Sequence, residues 1–134
     1  MIRTFEEYTH SMTEFEINIV VPIITKQLEL CIGKENALTN STLIKSLSIR
    51  EIKTSEPRIR HIIHVLRVSD TIPFLIATSK GYYISNDIDE INEYIGSIED
   101  RLRSIYDIRR SLKRQLKYKS EYKSAVQMQL NLCL

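Results

Sequence analysis

The stretch RIRHIIH, residues 58–64, sets Arg58, Arg60, His61 and His64 within two turns of any helix that holds them. A guanidinium pairs through two parallel hydrogen bonds with a phosphate or with the N7 and O6 edge of guanine. An imidazole donates or accepts at a base edge. His61 and His64 also have a spacing at which a helix could offer two metal ligands, but no third ligand is evident, so a metal is not expected. Nor is there a nucleophile with an evident base, a glycine-rich phosphate loop or a Cys/His cluster. The chain is therefore expected not to be an enzyme and to need no cofactor. Its chemistry is recognition rather than bond making. Arginines on a solvated helix face are common in any protein, so the value of these four depends on what positions them.

Ile59, Ile62, Ile63 and Leu66 recur at i, i+3, i+4 and i+7 and predict the buried stripe of one helix. On the wheel of that helix His61 and His64 point away from the stripe, Arg60 and Arg67 flank it on one side, and Arg58 flanks it on the other. Ser55 is the expected N-cap, with Pro57 in the first turn, where its missing amide costs little. Upstream, Thr13 and Glu16 form a capping box before a helix with apolar positions Ile17, Val20, Val21, Ile24, Leu28 and Cys31. Gly33 stops it, and Pro22 should kink or split it near Asn18–Val21. Thr39, Asn40 and Ser41 are candidate caps for a short helix of about two turns carrying Leu43, Ile44 and Leu47. Downstream, Phe74–Thr78 and Tyr82–Ser85 read as two short strands around the turn Ser79-Lys80-Gly81. Tyr82 and Tyr83 should face opposite ways, one into the core and one towards a backbone phosphate.

This order, helix, short helix, helix, hairpin, resembles the winged helix-turn-helix family over about residues 13–95. The resemblance is carried by SEPRIRHIIHVLRVSDTIPFLIATSKGYYIS: a serine cap, an apolar stripe, an Ile-Pro break and SKGYYI across the wing. It looks like the biotin-repressor-type subset and like small bacteriophage-encoded winged-helix proteins. The resemblance implies duplex DNA as partner, with the third helix in the major groove and the hairpin against the neighbouring backbone. Arg58, Arg60, His61 and His64 would then meet base edges or phosphates. Lys80 at the wing tip, Lys45, Lys53, and Ser55 with the amides at the helix start would meet phosphates. Transcriptional regulation or a phage DNA-metabolism accessory role would follow. The alternative is a protein–protein interaction module that no longer binds DNA and works through the rest of the chain, for instance as a phage inhibitor of a host protein.

The rest of the chain is a helix and a tail. Asp87 and Glu90 make a second capping box, followed by Ile88, Ile91, Ile95, Ile98, Leu102, Ile105, Leu112 and Leu116. These follow a heptad repeat, interrupted by Arg109 at one core position. Residues 87–118 would span roughly 48 Å, too long for so small a domain to cover, so much of this stripe is expected to meet another copy, as a dimer interface, or another protein. Charge points to the orientation. Residues 81–100 carry 6 acidic and no basic side chains, whereas residues 101–134 carry 9 basic and 2 acidic. An antiparallel homodimer sets acid against base, whereas a parallel one sets like against like. The last residues alternate apolar and polar and are expected as a strand or a disordered end. The expected fold is thus mainly α with a small β-hairpin: a winged domain over 1–85, a long coiled-coil-like helix over 86–120 and a tail over 121–134. The N-terminus does not read as a signal peptide, and the longest apolar run, INIVVPII, is too short to span a bilayer. No membrane association and a cytoplasmic location, in a bacterium or a phage-infected host, are expected. Cys31 and Cys133 are expected as reduced thiols.

Overall fold

A computed structural model describes residues 10–133 and divides them into two units, parting between Asn92 and Glu93. The first unit opens with the expected capping box. The Thr13 amide donates to Glu16 Oε1 at 3.0 Å, and the Glu16 amide donates to Thr13 Oγ1 at 3.1 Å. Glu16–Val20 then winds as a π-helix, with the Val21 amide donating to the Glu16 carbonyl. Helix α1 (Val21–Glu29) follows, with Pro22 in its first turn. Proline cannot donate to the carbonyl four residues back, so it sits most cheaply where a helix starts. The wide turn lets the chain restart its α-helical count at that point. The break expected at Asn18–Val21 thus takes the form of a π-turn. The wider winding carries Ile17 off the buried line, and it is exposed, while Val20, Ile24, Leu28 and Cys31 are buried.

A 3₁₀ turn (Lys34–Asn36) leads to α2 (Asn40–Ile49), capped by Thr39, whose Oγ1 accepts from the Thr42 amide at 3.2 Å. Leu43 and Leu47 are completely buried. The end of α2 is a Schellman turn. The Glu51 amide donates to the Ser48 carbonyl, the Ile52 amide donates to the Leu47 carbonyl, and Ile52 tucks into the core. Helix α3 (Glu56–Val68) begins at Ser55, whose Oγ accepts from the Arg58 amide at 3.4 Å. Its four stripe residues Ile59, Ile62, Ile63 and Leu66 are all buried.

Strands β1 (Leu75–Thr78) and β2 (Gly81–Ile84) pair antiparallel, with Thr78 opposite Gly81 across the two-residue loop Ser79–Lys80. The other edge of β2 is also covered, by the connection between α1 and α2. Leu38 and Tyr82 exchange two backbone hydrogen bonds, at 2.8 and 2.9 Å, and the Gly33 amide donates to the Ile84 carbonyl. Here Gly81 is required. Its φ is +120°, and a Cβ would lie 2.6 Å from the Leu38 carbonyl oxygen. The hairpin is therefore stitched to the segment between α1 and α2 as well as following α3.

Helix α4 (Ile88–Lys117) starts behind Asp87, whose Oδ1 accepts from the Asp89 amide at 2.9 Å and from the Glu90 amide at 3.4 Å. Glu90 carries a further bond, accepting the Tyr83 hydroxyl. No residue of α4 is buried. Helix α5 (Lys119–Cys133) occupies the tail. This corrects the expected strand or disordered end over 121–134. The alternating pattern would need a sheet edge to pair with. Ala, Gln, Met and Leu are good helix formers whose backbone bonds are satisfied locally. Read on a helix, the alternation splits into two lines, Val126 with Leu130 and Met128 with Leu132, all exposed. Leu134 and residues 1–9, with most of the stretch read as lacking a signal peptide, lie outside the described residues. The architecture is mainly α, with one small β-hairpin and a long helix towards the C-terminus. Among the described residues no helix is long and apolar enough to cross a membrane.

Candidate nucleic-acid interface

Helix α3 holds the candidate residues in three settings, which follow from its buried stripe. On one flank Arg58 turns back onto the N-terminal segment. Its Nε donates to Glu16 Oε2 at 3.1 Å and its Nη2 to Glu16 Oε1 at 2.7 Å. Nη1 donates to the His10 carbonyl at 2.7 Å, and Nη2 donates also to the Ser11 carbonyl at 3.3 Å. The two side chains are only 15% and 12% exposed. Arg58, expected to meet DNA, here directs its fork to Glu16 and two carbonyls. The Arg58 bonds also hold the Glu16 carboxyl below its ordinary value, against the opposing effect of burial.

On the outermost line lie His61, half-buried, and His64, exposed. Burial pushes the His61 imidazole below its ordinary value, with the charges of Arg58 and His64 adding to it and Glu16 opposing. At neutral pH His61 is thus an uncharged donor and acceptor, suited to a base edge rather than to a phosphate. No cluster of three or more His, Cys, Asp or Glu side chains that could hold a metal occurs among the described residues.

On the opposite flank Arg60 is exposed and Arg67 half-buried. Both lie near enough to Tyr82 for their charge to favour its phenolate, although burial dominates and pushes the Tyr82 phenol above its ordinary value. This flank faces the hairpin, and a polar relay fixes the relation. The Tyr82 hydroxyl donates to Asn40 Oδ1 at 2.7 Å, and Asn40 Nδ2 donates to Glu56 Oε1 at 3.4 Å. Strand β2 and the first residues of α2 and α3 are thereby tied together. Neither tyrosine offers itself to a phosphate. Tyr82 is 8% exposed and bonded to Asn40, and Tyr83 is 2% exposed and bonded to Glu90.

Lys80 stands exposed in the hairpin loop, where its amide donates to Thr78 Oγ1 at 3.2 Å. Lys45 on α2 and Lys53 in the following connection are exposed, and Ser55 is half-buried with its hydroxyl used as the α3 cap. Asn40 and Arg67 were not among the expected site residues. Asn40 read only as a candidate cap, and nothing in the sequence signals its distance to Tyr82. Arg67 shared a wheel position with Arg60, which was the available signal. Compared with protein-family models, curated proteins and solved structures, the chain gives no match.

Proposed function

We propose that this protein binds double-stranded DNA as a winged helix-turn-helix protein, with α3 in the major groove and the β1–β2 hairpin on the adjoining backbone. One juxtaposition supports this most. The outermost line of α3 presents His61 and His64, with exposed Arg60 on the adjoining flank, and the hairpin that follows directly carries Lys80 at its tip. Arg60 can meet guanine or phosphate, the histidines can meet base edges, and Lys80, Lys45 and Lys53 can meet phosphates. Arg58 supports the face by anchoring α3 to Glu16. The reading places the protein among regulators or accessory factors of DNA metabolism, working as a dimer in a cytoplasm.

A mobility-shift titration with random duplex DNA at two salt concentrations tests it. Binding should weaken steeply as salt rises. Arg60→Ala and Lys80→Ala should each weaken it by about 3- to 10-fold without loss of stability. If Arg60→Ala/His64→Ala/Lys80→Ala binds as the parent does, this face is not the DNA face.

The second reading, an interaction module without DNA binding, is favoured by the uncovered apolar stripe of α4. Leu102, Ile105, Leu112 and Leu116 are 58–71% exposed. That reading predicts a stable protein complex and no shift of DNA even at low salt.

A further inference from the structure

We propose that α4 pairs antiparallel with the α4 of a second copy of this chain, in the register that sets Arg109 beside the partner's Glu99. The inference concerns α4 alone and stands whether or not α3 binds DNA. The heptad stripe runs the length of α4, about four heptads and about 45 Å, enough for a stable coiled coil. None of it is buried within the chain. Ile108, 62% exposed, widens the stripe between Ile105 and Leu112.

Charge selects the occupant and its direction. Every charged residue from Asp87 to Asp100 is acidic, while the stretch from Arg101 to Lys117 carries seven basic residues and one acidic one, Asp107. A parallel copy would stack each block on its like, whereas an antiparallel copy sets each block against its opposite. An unrelated partner would have to supply both blocks in reverse order, which a second copy does automatically.

Arg109 then fixes the register. In antiparallel pairing the first core position of a heptad faces the second core position of the other helix, and residues flanking on the same side face each other. When Leu102 meets the partner's Ile105, Ile95 meets the partner's Leu112 and Ile91 meets the partner's Leu116. Arg109 then packs on the partner's Ile98, with the partner's Glu99 at its side, and two-fold symmetry makes this contact twice. Sliding by one heptad in one direction sets Glu99 against the partner's Glu99 and Arg101 against the partner's Arg101. Sliding the other way leaves Arg109 facing the partner's Ile105 and Tyr106 with no acid beside it. A guanidinium in a core position needs that acid, because an unpaired charge there is costly. The ion pair thus specifies both direction and alignment, as a single polar core residue does in other coiled coils.

The full chain should sediment as a dimer. Arg109→Glu and Glu99→Arg should each weaken dimerisation by about tenfold, and the double exchange should restore it to within about twofold. In a Cys133→Ser background, mixing Ile95→Cys chains with Leu112→Cys chains should give one mixed disulfide under mild oxidation. A monomer at about 100 µM overturns the proposal. So do efficient 95–95 and 112–112 disulfides, which indicate parallel chains. A double exchange no better than either single change overturns the register.

Discussion

Arg58 makes at least four hydrogen bonds, two to the Glu16 carboxylate and two to backbone carbonyls, while mostly shielded from water. Truncating it leaves Glu16 half-desolvated and unpaired, which costs more than the pair contributes. Arg58→Ala should therefore lower stability by about 2 kcal/mol in urea unfolding. Arg58→Lys should recover little of this, since an ammonium cannot reproduce the two-pronged contact. The same pair makes stability depend on acid. The Glu16 carboxyl is held below its ordinary value of 4.5 in the folded chain. Its contribution is thus fully present above that value and is lost as pH falls through the lower folded value. Glu16→Gln should flatten the acid side of the stability profile while lowering its neutral plateau. An unchanged acid slope in that variant would show that the pair does not couple folding to protons.

At the scale of elements, most starts and stops were legible because they depend on a few adjacent residues. The Thr13/Glu16 box, the Thr39 cap, the Ser55 cap with Pro57, and the 59/62/63/66 stripe all stand where local chemistry put them. What could not be read locally was pairing across distance. RIRHIIH shows Arg58 as a donor but not the carboxylate 42 residues earlier that takes it. The Leu38 segment has no strand signature, yet it bridges to Tyr82. The tail alternates like a strand, but alternation makes a strand only where an edge is offered. The end of α2 holds one element out of its best state. Glu51 sits at φ +60°, the left-handed position that a Schellman turn usually gives to glycine. Glu51→Gly should raise stability by about 1 kcal/mol, read as a higher urea midpoint at unchanged slope. A drop in the midpoint would mean that the Glu51 side chain contributes more than its backbone strain costs.

For the whole molecule, burial and charge are divided between the two units. Every buried residue among those described lies between Val20 and Ser85. The Asp87 cap and the Glu90 carboxylate that receives Tyr83 also fall before the boundary at Asn92. Among the described residues the unit from Glu93 onward buries none, and it carries the basic block. Stability of the core should then reside in the first unit, and self-association in the second. A chain ending at Asn92 keeps the caps, the hairpin and the Arg58–Glu16 pair, so it should unfold in one transition within about 0.5 kcal/mol of the parent. It should be monomeric at any concentration. If α3 and the hairpin bind DNA, it should still shift duplex DNA, but more weakly by the factor that two linked sites supply. Intrinsic near-ultraviolet circular dichroism of its tyrosines, sedimentation and a mobility shift separate these outcomes. Loss of the tyrosine signal in the shortened chain would show that the helix beyond Asn92 is needed for folding. Retained folding with all DNA affinity lost would move the DNA contacts from α3 to the basic block of α4.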